Sequence, residues 1–406
     1  MKIIPKQYFH QIRRFLAKVW LELNLQLIII GVTGSYGKTS AVRAIAAVLS
    51  SKYSTNKTDL NLDTVFNLPI TILKTRPWDE VLVLEYGIDH LGEMDQHIKL
   101  VRPKIAVLTG ITPVHTDQEH LGSLENLISE KRKLVNSLPK DGWAVFNYDD
   151  INVRKIGLNF SGKKFFYGRN PKADVNAQSI KINPKGTTFT LCSGKEKYQI
   201  FTPLLGYPAI YSCLVAWIVG RELGVEKEKI IDCLAHLSPL PGRFSFEEGP
   251  LGTFLVNDSL RANLASTLAG LESFACFPGR KILVLGEMGE IGDLEEKAHR
   301  QVGQMVARLK IDKVVGVGPL TKFVLEEASK TLKQENLFWA KNVIEAADIL
   351  KKIVKEKDLL YLKASRLRHL ERILLILQGK RVNCSLIVCH RYTHCANCPL
   401  LNKDIK

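Results

Sequence analysis

The sequence predicts an α/β protein in two folded parts: a first part on a mostly parallel sheet, then a smaller alternation of strands and helices. Three observations predict it. The apolar run Leu25-Gln-Leu-Ile-Ile-Ile30 passes through a glycine turn, Gly31-Val-Thr-Gly-Ser-Tyr-Gly-Lys-Thr-Ser40, into a helical run over 41–49. Short apolar runs at 81–87 and 105–109 end in turn or polar residues, as buried parallel strands do. Beyond the Pro/Gly-rich break Ser238-Pro-Leu-Pro-Gly242, strand patterns near 253–256, 281–285, 313–317 and 359–362 alternate with helical ones at 264–274, 295–309 and 343–354. That alternation predicts a Rossmann-like α/β domain.

With 406 residues the chain has room for two or three domains. The predicted divisions are a basic amphipathic helix over 1–24, a nucleotide-binding central domain over 25–240, the Rossmann-like domain over 241–380 and a Cys/His-rich tail over 381–406. Apolar and charged shares of 46% and 24% are those of a soluble globular protein. The net charge of +16 favours acidic partners, phosphate-rich substrates and anionic membrane surfaces ahead of nucleic acid. Eight cysteines, four of them in the last 23 residues, do not make a secreted disulfide framework and point to a reducing cytoplasm.

The first element has helical spacing: Ile3, Ile4, Tyr8, Phe9, Ile12, Phe15, Leu16, Val19, Trp20 and Leu23, with Lys2, Lys6, Arg13, Arg14 and Lys18 between them. Charges interrupt every apolar run, which argues against a membrane span. Such a helix can lie peripherally on an anionic bilayer or dock its apolar face on the protein itself, and docking is the preferred reading.

The strand, turn and helix around Gly31–Ser40 form a phosphate loop (P-loop). Glycines let backbone N–H groups close around phosphate oxygens, and the helix N-terminus adds its positive end. Lys38 reaches the outer phosphates and Thr39 offers a hydroxyl to Mg²⁺. The strict pattern asks for glycine where Val32 stands, so this is a variant, with Gly31 one place earlier and Gly34 inside the loop. Ligands of such sheets gather at the carboxyl ends of strands, where Glu85 and His115 are candidate metal partners. At 160–203, the segments 164–167, 186–191 and 198–201 read as antiparallel hairpins beside the main sheet, and 206–224 as a helix.

Gly-x-Thr-Gly-x-x-Gly-Lys-Thr-Ser resembles the loop of the Mur ligases, which couple ATP hydrolysis to amide-bond formation. Further motifs are similar to the branch that adds D-alanyl-D-alanine to a UDP-muramyl tripeptide. They include Asn61-Leu-Asp-Thr-Val-Phe-Asn-Leu-Pro69, Glu85-Tyr-Gly87 with His90, Gly92 and Glu93, Pro113-Val-His115, Lys131 in Ser-Glu-Lys-Arg-Lys, and Asn147-Tyr-Asp-Asp150. In the later part Gly242-Arg243, Asn257-Asp-Ser259, Leu285-Gly-Glu-Met288 with Glu290, Gly292 and His299, and Lys363-Ala-Ser-Arg366 continue the resemblance. It implies a cytoplasmic, ADP-forming ligase that joins a muramyl-peptide acyl substrate to a D-amino-acid dipeptide or another amine through an acyl phosphate. It further implies that Gly34, Gly37, Lys38, Thr39, Ser40, Arg243 and Asp258 contact ATP. Thr39, Glu85 and His115 would hold Mg²⁺, with Lys131 carbamylated for a second Mg²⁺. His120 is a rival to His115, because the stretch to Gly122 is two residues longer than the family's.

Departures are Lys133 in place of a Glu, Pro208, Ala209 and Ser212 in place of nucleotide contacts, and Leu260-Arg261 after the Asp. Only 30 residues precede the loop, where family members usually carry a UDP-gripping domain. The expectation is that UDP is held differently or that the acyl substrate is lipid-linked. A folylpolyglutamate-synthetase-like ligase and a non-catalytic nucleotide-binding relic are the alternatives. In the tail, Cys384, Cys389, Cys395 and Cys398, with His390 and His394, suit a structural Zn²⁺, against free or redox-active thiols.

Overall fold

The computed structural model describes residues 6–24, 26–59, 64–289, 291–391 and 393–403, with side chains from His10 and, after residue 63, from Phe66. Readings that rest on Lys2, Ile3, Ile4, Leu25, Asn61, Leu62, Asp63 and Glu290, or on the side chains of Lys6, Tyr8, Phe9 and Thr64, lie outside the described residues. The chain forms two compact units: Met1–Lys181, Thr188–Thr202 and Ala209–Leu237 make the first, and Ile182–Thr187, Pro203–Pro208 and Ser238–Lys406 the second.

The first unit opens with α1 (Lys6–Leu23), β1 (Ile28–Thr33), α2 (Lys38–Leu49), β2 (Thr55–Lys57), α3 (Thr64–Leu73), β3 (Val81–Glu85), α4 (Glu93–Leu100) and β4 (Ile105–Leu108). It continues with α5 (Leu124–Asn136), β5 (Trp143–Asn147), α6 (Ile151–Leu158), β6 (Lys163–Gly168), β7 (Val175–Asn183), β8 (Gly186–Ser193), β9 (Glu196–Thr202), α7 (Gly206–Glu222) and α8 (Lys227–Ala235). One nine-stranded sheet runs β2-β3-β1-β4-β5-β6-β7-β8-β9. β1 is parallel to both neighbours, with Ile28 opposite Val81 and Ile30 opposite Ile105. Its Ile30 and Val32 are fully buried, as are Val81–Leu84 of β3 and Ala106–Leu108 of β4, so strands covered on both faces read as continuous apolar runs.

The reading of 164–167, 186–191 and 198–201 as hairpins beside the main sheet is corrected: all three segments belong to that sheet. β6 belongs to the main sheet and runs parallel to both β5 and β7. The pairing with β5 follows from α6: a crossover helix between β5 and β6 returns the chain in the same direction, as a tight turn cannot.

α1 divides its apolar residues between two faces. Ala17 is fully buried, Trp20 and Leu21 pack on the core, and the Trp20 indole donates to Thr75 O at 3.0 Å. Ile12, Phe15, Leu16, Val19 and Leu23 remain exposed, Phe15 by 66% and Leu23 by 72%. Docking on the protein therefore accounts for one face only. Among the described residues no helix is long and apolar enough to cross a membrane.

The second unit holds β10 (Ser245–Glu248), β11 (Phe254–Asp258), α9 (Leu264–Ala275), β12 (Lys281–Gly286), α10 (Glu295–Arg308) and β13 (Lys313–Val317). α11 (Thr321–Ala328), β14 (Leu337–Ala340), α12 (Val343–Ile353), β15 (Leu359–Lys363) and α13 (Glu371–Leu377) follow. The sheet order is β10-β11-β15-β12-β13-β14, with β10 antiparallel and the other pairs parallel. β15 inserts between β11 and β12, so Asp258 and Lys363, each the last residue of its strand, stand in register.

Candidate active site

β1 lies between β3 and β4, and in parallel sheets of this kind ligands bind outside the carboxyl ends of the strands where the order reverses. The glycine turn sits there. Gly34 has φ 153° and Gly37, the N-cap of α2, has φ 77°, conformations that glycine adopts without steric cost. A Cβ on Gly34 would stand 2.1 Å from the Thr109 hydroxyl just past β4. That hydroxyl donates to Tyr36 O at 2.5 Å, and Ser35 N–H donates to Gly110 O at 2.7 Å. Asn147 and Asp150 brace the same loops: the Asn147 amide donates to Thr109 O at 2.8 Å, and Asp150 accepts from the Tyr36 hydroxyl at 3.1 Å and from Ile111 N–H at 2.9 Å.

Charge converges on this turn. Lys38, the first residue of α2, is buried and its Nζ donates to Gly34 O at 2.7 Å. Lys131 donates to the same oxygen at 3.1 Å. Ser123 caps α5, accepting from Asn126 N–H at 3.1 Å, and Leu127, Lys131 and Leu134 then fall on one buried helix face. Lys131 is carried inward by its apolar neighbours. The Thr39 hydroxyl donates to Glu85 Oε2 at 2.9 Å, and Ser40 follows on the same turn of α2. Lys133, the departure from the family's Glu, pairs with Glu130 and, at 2.6 Å, with Asp95 of α4, so its charge is taken up between α4 and α5.

Past β3 and β4 three imidazoles gather. The His115 ring is centred 5.2 Å from that of His120, which is 5.4 Å from His90. His115 Nε2 lies 3.4 Å from Asp89, His120 Nδ1 lies 2.5 Å from Asp117, and His90 Nδ1 lies 3.4 Å from Glu93. His115 has φ 55°, a left-handed backbone for a residue with a side chain.

In the second unit Lys363 donates to Asp258 Oδ2 at 2.6 Å and the Tyr361 hydroxyl to the same oxygen at 3.1 Å. Burial pushes the Asp258 carboxyl up and the Lys363 ammonium down, each against the attraction of the other. Arg243, half-buried beside Gly242 (φ 74°), acts electrostatically on both. After β12, buried Glu287 pairs with Arg368 at 2.9 Å and accepts from Leu320 N–H at 2.8 Å. His299 holds the next residue: Met288 N–H donates to its Nε2 at 3.1 Å, and its Nδ1 lies 2.7 Å from Glu295 O.

Residues 32–220 match the family described as Mur ligase middle domain, and residues 242–366 the one described as Mur ligase, glutamate ligase domain. The chain is 32% identical to the UDP-N-acetylmuramoyl-tripeptide–D-alanyl-D-alanine ligase of Bacillus subtilis (strain 168) over 88% of its own length and 77% of the relative's. It belongs to the Mur ligase family. Among solved structures, MurF from Acinetobacter baumannii is similar at 25% identity and TM-score 0.82, over 91% of this chain and 81% of that one. MurF from Thermotoga maritima in complex with ADP is similar at 25% identity and TM-score 0.80, over 91% and 84%.

For this Mur ligase the structure brings together Lys38, Thr39, Glu85 and Lys131 around one turn, and His115 with its rival His120 in one cluster. Arg243 and Asp258 gather with Lys363 in the second unit. Sequence reasoning missed Thr109, Tyr361 and the Glu287–Arg368 pair. Thr109 ends an apolar strand run beside a phosphate loop, a signal that was available. Tyr361 sits inside the apolar run of β15, where nothing in the sequence separates its hydroxyl from a core ring.

Proposed function

We propose that this Mur ligase is an ATP-dependent, ADP-forming peptide ligase of the cytoplasm that joins D-alanyl-D-alanine to a UDP-muramyl tripeptide in peptidoglycan synthesis. The observation that carries the reading is the convergence of two buried ammonium groups, Lys38 and Lys131, on the Gly34 carbonyl of a phosphate loop. The named activity of the Bacillus subtilis relative supports the substrates, and the ADP complex of the Thermotoga maritima relative supports the nucleotide.

A carboxylate oxygen of the peptide attacks the γ-phosphorus, the bridging oxygen leaves with ADP, and an acyl phosphate forms. The dipeptide amine then attacks the acyl carbon, phosphate leaves, and the amine proton passes to solvent. Gly34 and Gly37 open the backbone N–H groups to phosphate oxygens, the start of α2 with Thr39 and Ser40 completes the cradle, and Lys38 donates to the transferring phosphoryl group. Arg243 and Asp258 are the second unit's nucleotide contacts. Thr39 Oγ1 and Glu85 Oε2, 2.9 Å apart, are hard oxygen donors that suit Mg²⁺, with His115 as a further partner; bound there, the ion offsets phosphate charge. Carbamylation of Lys131 would turn the second of two converging cations into an anion and a second Mg²⁺ ligand.

The test is phosphate release from ATP and Mg²⁺ with UDP-muramyl tripeptide and D-alanyl-D-alanine. Release should need both substrates, and Lys38→Ala should lower kcat by about 10²–10³. ATP binding without release under any pairing of these substrates overturns the substrate reading.

A finer part of the reading concerns α1, whose exposed stripe of Ile12, Phe15, Leu16, Val19 and Leu23 is flanked by Arg13 and Lys18. An apolar stripe edged by cations on a chain of net charge +16 fits peripheral contact with an anionic bilayer.

A further inference from the structure

The second unit ends in a sulfur-lined cavity that the ligase chemistry does not use. After α13 the chain folds back on itself. Asn383 and Cys384 donate their N–H groups to Leu401 O at 3.0 and 3.2 Å, and Cys389 N–H donates to Leu367 O at 2.8 Å. Cys395–Asn397 make one 3₁₀ turn, so Cys395 and Cys398 form a Cys-x-x-Cys knuckle closed by Cys398 N–H on Cys395 O at 3.0 Å. Cys384, Cys389, Cys395 and Cys398, separated by up to fourteen positions in sequence, line one small cavity together with His369 and Arg372. All four carry free thiols.

Size and charge say what fits. The cavity is about 20 Å³, room for a single water-sized particle and too little for an iron–sulfur cluster. Among the described residues the ligand atoms within 4.8 Å of one another are those of His369, Glu371 and Cys395, so the other three sulfurs, which line the same cavity, would draw in toward Cys395 as an ion binds. Arg372 is 1% exposed. Its N–H groups go to the carbonyl oxygens of Arg368, His369, Cys384 and Leu386 and, at 3.2 Å, to Cys384 Sγ. Among the described residues no carboxylate pairs with this guanidinium, and a buried cation calls for an anion. A zinc ion bound by four thiolates carries a net charge of two minus and would supply it, with the Arg372 N–H directed at one of its sulfurs.

We propose that the tail closes on one Zn²⁺ held by the thiolates of Cys384, Cys389, Cys395 and Cys398. The four thiols release their protons to solvent as the ion binds. Arg372 supports the sulfur of Cys384, and the His369–Glu371 pair supports that of Cys395, His369 Nδ1 lying 3.4 Å from Cys395 Sγ and 2.9 Å from Glu371 Oε1. This inference is independent of the ligase reading, since a metal count needs no substrate.

The test is elemental analysis of the full chain purified without chelator, with Co²⁺ substitution to read the ligand field. One zinc per chain and a tetrahedral tetrathiolate cobalt spectrum are expected. Cys395→Ser and Cys398→Ser should bring zinc to background, while Cys276→Ser, an exposed cysteine elsewhere in the unit, and His369→Ala should keep it. Should the tail variants fail to fold, stepwise thiol modification of the wild-type chain should release its zinc as the tail sulfurs react. A zinc-free chain whose tail thiols react freely without denaturant overturns the proposal, as does bound iron, or loss of zinc in His369→Ala with retention in Cys384→Ser.

Discussion

At Gly34 the absence of a side chain matters as much as any charge near it. The Thr109 hydroxyl occupies the place a Cβ would need, and through Tyr36 O it ties the end of β4 to the loop that follows β1. His299 acts in the same indirect way, through a backbone N–H and not through substrate. Burial lowers its pKa and that of His97, because the charged imidazolium is disfavoured inside. Both are neutral in the folded state, and the unfolded chain binds their protons more readily. Their contribution to stability is therefore complete above the unfolded value of about 6.5 and is lost as the pH falls through the lower folded values. Thermal unfolding followed from pH 8 to 5 should show Tm falling below about pH 6.5, with a shallower fall in His299→Gln. An unchanged slope in that variant would remove His299 from this account.

α5 and α1 show how the same kind of element can be read well or half-read. In α5 the residues at 127, 131 and 134 share one face, and the family motif had already singled out Lys131. Apolar neighbours carry that lysine into the interior, so the packing agrees with the motif. In α1 periodicity alone was available, and it identifies an amphipathic helix without saying how wide its apolar arc is. The structure shows an arc too wide for the surface beneath it: Ala17 and Trp20 dock while Phe15 and Leu23 do not. Each large apolar side chain that enters a lipid interface contributes about 1.5–3 kcal/mol. Phe15→Glu should thus weaken sedimentation with anionic vesicles at least tenfold at low salt. Equal binding of wild type and variant would leave the stripe without a lipid partner, and binding to neutral vesicles alone would remove the anionic surface from the reading.

The whole molecule divides into two units, each with its own sheet and its own share of the candidate residues. That division was legible because a Pro/Gly break precedes a fresh alternation of strands and helices. β10 was not, since two of its four residues are glutamates and no apolar run marks it, and β14 went unread although its run is as short and as apolar as that of β4. The parallel course of β6 was hidden too, because pairing direction depends on the connecting α6. If ATP binds the loop of the first unit, nucleotide at a hundred times its Kd should stabilise that unit by about 2.7 kcal/mol and raise its transition by about 5–10 °C. Lys38→Ala should abolish the shift, and a shift that persists would relocate the nucleotide. The strand order carries a further consequence, for the nascent chain. β1 hydrogen-bonds only to β3 and β4, which begin at Val81 and Ile105, so it leaves the ribosome long before either neighbour exists. At about 5–20 residues per second, an isoleucine-rich strand with both edges open waits for on the order of several seconds. The phosphate loop beside it takes its final form only when Thr109 has been made, and through that interval the open strand is exposed to aggregation.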